Sequence, residues 1–129
     1  MSKTKTNLVL FSFGALGYGL LEILWRGYTH WSMLTAGGLC FTFFGALSDK
    51  LRKANILFKA IIGSVFITTV ELIFGVVFNL ILKKNVWDYS KMPFNFLGQI
   101  CAVYSFFWFV LSLAFIPLAT LVKRKLKKA

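Results

Sequence analysis

Glu71 falls close to the middle of the cleanest hydrophobic run in the chain, and it is the residue whose type and position offer the most chemistry. An ionised carboxylate near a bilayer centre costs on the order of 3 kcal/mol or more, so Glu71 is expected to face other helices or a wet cavity rather than lipid. A neutral acid there donates a hydrogen bond or carries a proton; alternatively, it ties two helices together through a polar contact. Asn79 lies two helical turns on, near enough in angle to share that face. Glu22 and Arg26 stand four residues apart, the spacing of an intrahelical ion pair. The functional reading of these residues is one outward-facing polar vestibule lined by Glu22, Arg26 and Glu71 and closed over by an external loop.

That loop carries a second group, Trp87-Asp88-Tyr89-Ser90, followed by Met92-Pro93 and Asn95. Trp and Tyr mark membrane interfaces, where a ring meets both lipid and water. Asp88 and Ser90 are turn and helix-capping types, and Asn95 with Gln99 sets amide groups about one turn apart at the mouth of the last apolar stretch. Such a cluster either coordinates a ligand or fixes the loop. No catalytic set is visible, because Glu71, Asp88 and His30 do not converge at one depth. Cys40 and Cys101 fall in apolar stretches without a C-x-x-C spacing, and with His30 the lone histidine, no metal site is expected. No cofactor is expected either.

Four elements must position these residues. The 129-residue chain is 58% hydrophobic and 18% aromatic, too apolar for a soluble domain and of a length for a single transmembrane domain. A bilayer core about 30 Å thick needs about 20 largely apolar residues per helix. Four stretches meet that need: Leu8 to Leu24, Trp31 to Leu47, Ala60 to Leu82 and Phe94 to Val122. The fold class expected is an all-α integral membrane protein with four transmembrane helices. The first stretch follows Lys3 and Lys5, as a secretory signal would, but no small-x-small cleavage pattern comes after it, so it is read as a retained helix. Gly14, Gly17 and the Gly37-Gly38 pair are expected to let helices approach closely. Pro117 is expected to kink or end the fourth helix. Gly37-Gly38-Leu39-Cys40 echoes Gly98-Gln99-Ile100-Cys101, which suggests two parallel helical-hairpin repeats.

The net charge of +11 sits at the ends of apolar stretches rather than on one amphipathic face, which argues against nucleic-acid binding. Lys3, Lys5, Lys50, Arg52, Lys53, Lys59, Lys123, Arg124, Lys125, Lys127 and Lys128 fall on one side, against Arg26, Lys83, Lys84 and Lys91 on the other. This split of eleven to four places both termini in the cytoplasm. It also gives the cytoplasmic side an affinity for anionic lipid headgroups.

A further set of residues carries a family resemblance: Glu71 with Gly75, the run Trp87-Asp88-Tyr89-Ser90, then Pro93, Asn95, Gly98, Ile100-Cys101, Ser105 and Trp108. Over Glu71 to Trp108 the chain resembles the putative ABC-transporter type IV membrane proteins, which include bacterial CmpB-like proteins. The first half is similar more loosely, through Glu22 and Arg26-Gly27; the Gly- and Pro-rich segment of the family after the first span is replaced here by residues 28–33. The resemblance implies a bacterial cell-membrane protein related to transport. The chain has no Gly-x-x-x-x-Gly-Lys-Ser/Thr motif, so an ATP-driven assembly would need another polypeptide to bind nucleotide.

Two functions fit. One is binding or transport of a small polar or cationic solute, with Glu71 central and a homodimer or partner subunits enclosing the path. The other is a non-catalytic accessory or scaffolding subunit of a larger complex.

Overall fold

Helix starts and stops follow from local chemistry. In the computed structural model, which describes residues 2–84 and 86–127, α1 (Lys3–Arg26) begins where the Ser2 hydroxyl accepts from the Lys5 amide at 3.2 Å. It ends at Gly27, whose φ of 81° lies in the left-handed region that glycine reaches without strain. Only residues 27–30 then separate it from α2 (Trp31–Lys50), where His30 Nδ1 accepts from the Ser32 amide at 3.2 Å. Asn55 caps α3 (Ile56–Gly75) by accepting from the Phe58 amide at 2.8 Å. Beyond Gly75 the same span runs on as a π-helical segment, Val76–Ile81, and the last helix, α4, covers Ala102–Lys127. Lys128 lies outside the described residues, as does the side chain of Lys127.

Among the described residues, four helical spans are long and apolar enough to cross a membrane, with mean hydropathy of 1.3 to 2.2 over their most apolar windows. This is the all-α membrane architecture the composition demands. The large side chains on the outer surface are apolar, and lipid is the solvent that tolerates them.

Inside, α1 packs along most of α2, and α4 lies against α2 and α3, whereas α1 and α4 barely meet. A core of Leu10, Phe41, Phe44, Leu47, Ile116 and Ala119 joins α1, α2 and α4 at the end where the chain begins. Small residues set the α1–α2 spacing: a Cβ on Gly14 would overlap Phe41 and the Gly37 carbonyl, and one on Gly38 would overlap the Phe11 ring. Gly17 departs from this expectation, because a Cβ there would meet nothing within 4 Å.

The fourth stretch differs from its sequence reading. Residues 94–101 are not the start of a helix; Asn95–Phe96 (β1) and Ile100–Cys101 (β2) pair antiparallel, Asn95 opposite Cys101 and Phe96 opposite Ile100. The backbone explains it. Phe94 and Leu97 have φ of 54° and 56°, Gly98 has 69°, and no right-handed helix runs through such residues. At its other end α4 continues through Pro117 to Lys127 rather than ending there. The two four-residue echoes therefore have different conformations, Gly37–Cys40 within α2 and Gly98–Cys101 in the hairpin.

Candidate functional site

Glu71 is buried, with 5% of its surface exposed, on the inward face of α3. Each carboxylate oxygen accepts one bond from a ring: Tyr89 Oη donates to Oε2 at 2.9 Å and Trp108 Nε1 donates to Oε1 at 3.2 Å. One donor comes from the loop between the third and fourth spans and the other from α4, so the acid holds three segments together. A carboxylate has about four lone-pair sites, and two protein donors leave each oxygen able to accept again.

The surroundings are aromatic. Tyr89 stacks on Tyr104 at 4.8 Å and 6°, Tyr104 neighbours Trp108 at 6.4 Å, and Trp108 meets Tyr18 of α1 edge-on at 6.2 Å. A cavity of about 240 Å³ opens beside Glu71 among all four helices. Tyr18, Trp108, Phe13, Phe115 and Cys40 are among its walls, and Gly17 leaves part of the space free. Among the described residues no lysine or arginine lines it. A second cavity of about 280 Å³ lies in the gap between α1 and α4 and shares Tyr18, Leu21, Trp108 and Leu111 with the first. Its rim includes Trp25, 77% exposed, and Phe107, so it opens sideways onto the apolar outer surface.

Glu22 and Arg26 form the pair their spacing suggests, Arg26 Nε to Glu22 Oε2 at 2.7 Å. Arg26 also donates from Nη1 to the Val86 carbonyl at 2.8 Å, and its guanidinium lies 4.5 Å over the Tyr28 ring. It thereby fastens the C-terminal end of α1 to the loop. Glu22 lines the second cavity and Glu71 the first, with Tyr18 and Trp108 on the boundary between them. Arg26 lines neither, so the three do not meet in a single vestibule.

The remaining expected residues build the loop. Asn79 lies in the π-helical segment that continues α3 and is buried like Glu71 two turns before it. Its Nδ2 donates to Gln99 Oε1 at 2.7 Å, and its Oδ1 accepts from the Val86 amide at 2.6 Å. Trp87 Nε1 donates to the Gln99 carbonyl at 2.9 Å, and Gln99 Nε2 donates to the Leu97 carbonyl at 2.9 Å. Asp88 Oδ1 accepts from the Ser90 amide at 2.9 Å, and these Ser90 bonds hold the Asp88 carboxyl below its ordinary range. Asn95 donates to the Met92 carbonyl at 2.9 Å and accepts from the Gly98 amide at 3.1 Å. Of the residues singled out from the sequence, Glu71 and Tyr89 meet at the inner site and Glu22 borders it.

Tyr18 and Tyr104 were missed, and Trp108 entered only through the family resemblance. Tyr104 and Trp108 are four residues apart on α4, and that shared-face spacing beside a membrane acid was the available signal. Among the described residues no three His, Cys, Asp or Glu side chains gather to hold a metal ion. Chemically, the arrangement presents one acidic oxygen pair and several ring faces to an otherwise apolar space.

Comparison with known proteins adds one match. No curated protein and no solved structure matches the chain. The model of the family described as Putative ABC-transporter type IV matches residues 9–128, reaching well into the first half, where the motif resemblance is loose. With that match covering most of its length, the chain belongs to the Putative ABC-transporter type IV family of membrane proteins.

Proposed function

We propose that the protein binds a small organic cation in the cavity beside Glu71, as a solute-binding membrane component of a transport assembly. The carrying observation is a buried carboxylate on the wall of an aromatic cavity that no basic side chain lines among the described residues. A charge in an apolar space is costly unless paired, and a cationic ligand supplies the pairing. Ring faces attract ammonium groups by about 0.5–2 kcal/mol each, more when water is excluded, and Tyr18 and Trp108 stand beside the acid. The volume of about 240 Å³ lies just under the range of about 300–1,000 Å³ usual for drug-sized ligands, which favours a small or slender cation. The gap between α1 and α4 gives it a sideways route. We place the protein in a bacterial cell membrane with both termini cytoplasmic, working as a homodimer or with partner subunits, nucleotide binding falling to another polypeptide.

Thermal unfolding with benzyltrimethylammonium against its neutral isostere neopentylbenzene tests this. A ligand that binds only the folded state raises the melting temperature by mass action. The charged compound is expected to raise it, the neutral one not, and Glu71→Gln is expected to abolish the difference. Gln fits the same space, its oxygen accepting from Trp108 and its amide donating to Tyr89 Oη, so the variant should fold.

The accessory reading has its own support in the bonds from Tyr89 and Trp108, which make Glu71 a tie between α3, α4 and the loop. Equal response to both compounds, or to neither, favours that reading.

A further inference from the structure

A polar recess of about 310 Å³ lies at the far end of the helices from the Tyr89 loop, where the end of α2, the first turn of α3 and the last turns of α4 meet. Its walls carry four cationic side chains, Arg52, Lys59, Lys123 and Arg124, and one carboxylate, Asp49. Lys123 is held in place: its ammonium pairs with Asp49 and donates to the Gly45 carbonyl at 3.2 Å. One carboxylate balances one of the four cations, so the recess keeps an excess of positive charge around a concave space. Hydroxyl-bearing Ser48 and Thr120 complete the lining. On the same turns of α4, Leu118 and Leu121 are 43% and 50% exposed, which continues an apolar surface from the rim toward the middle of the span.

We propose that this recess binds a phosphate group, with Arg52 and Arg124 as its principal donors and Lys59 and Lys123 as supporting charges. Guanidinium groups match phosphate oxygens in paired hydrogen bonds, and basic pockets between helix ends suit phospholipid headgroups. The apolar strip of Leu118 and Leu121 favours a phospholipid over a soluble phosphate ester, since acyl chains lie along it while the headgroup enters the recess. This site is independent of the Glu71 cavity and of any cation bound there.

The test uses the full chain in phosphatidylcholine nanodiscs with a rising fraction of phosphatidylglycerol, read by native mass spectrometry and thermal unfolding. Saturable binding of the anionic lipid is expected. Arg52→Gln with Arg124→Gln is expected to weaken it roughly ten-fold or more. Lys3→Gln with Lys5→Gln removes the same charge at the same end outside the recess and is expected to leave binding almost unchanged. Unaltered melting of the arginine variant in pure phosphatidylcholine separates lost binding from lost folding. Glycerol phosphate, added to the pure phosphatidylcholine discs, distinguishes the sources: no effect supports the lipid, and an effect that the arginine variant lacks supports a soluble phosphate at the same site. Equal weakening in both double variants, or binding that never saturates, overturns the proposal, because the general attraction of a basic surface would then account for it.

Discussion

A membrane carboxylate is defined by what touches it, and at Glu71 the decisive contacts are one indole and one phenol. Trp108→Phe keeps a ring on the cavity wall and removes the N–H that reaches Oε1. Losing one donor to a buried acceptor costs about 1–3 kcal/mol, so this variant should melt earlier while retaining helix content by circular dichroism. Asp88 gives a prediction in pH. The Ser90 bonds favour the charged form and hold its folded pKa below the ordinary carboxylate value, so its contribution to loop order is complete above that ordinary value. The contribution is lost as pH falls through the lower, folded value. Protection of the Ser90 amide, the slowing of its exchange relative to that of an unstructured chain at the same pH, should therefore persist through the ordinary carboxylate range and fall only in more acidic solution. Glu71 was legible in the sequence because a lone acid in a hydrophobic run is expensive. Tyr18 and Tyr104 were not, since an aromatic residue in a membrane helix reads equally as lipid-facing bulk and only tertiary packing turns it toward the acid.

Among the elements, the loop between the third and fourth spans is the one hydropathy misread. Phe94, Phe96, Leu97 and Ile100 extend the apolar run of α4, and a window average does not separate an apolar hairpin from the first turns of a helix. Pro93 and Gly98 were the breaks in the pattern that mark the boundary. The hairpin rests on Asn79, whose amide serves both Gln99 and Val86. Asn79→Ala leaves those buried partners unsatisfied and should destabilise by about 2–3 kcal/mol, with proteolytic cleavage appearing first within residues 86–101. α1 offers a contrast between two glycines of similar sequence context. Gly17→Leu projects into the cavity and should fold normally while losing the benzyltrimethylammonium shift; Gly14→Leu collides with α2 and should fail to reach a cooperative melt. The glycine pattern was readable as packing, yet which glycine packs and which leaves space depends on where α1 crosses α2.

For the whole molecule, the number of spans was legible because lipid imposes length and apolarity on every helix that crosses it, and the charge at the helix ends followed from the same constraint. How the helices group was not, since apolar surfaces facing lipid and facing each other have nearly the same composition. The eleven-to-four charge split predicts that cysteines introduced at Ser2 and at Lys125 label from the cytoplasmic side in intact cells, and that one at Lys91 labels from outside; labelling of Lys91 from the inside would reverse the orientation. The loose seam between α1 and α4 has a further consequence. A ligand that enters there is drawn from the oily phase, so the concentration that governs occupancy is the one dissolved in the membrane. Ranked by aqueous dose, ligands should therefore order by oil–water partitioning as much as by fit, and adding empty vesicles at fixed total ligand should strip the protein by dilution into lipid.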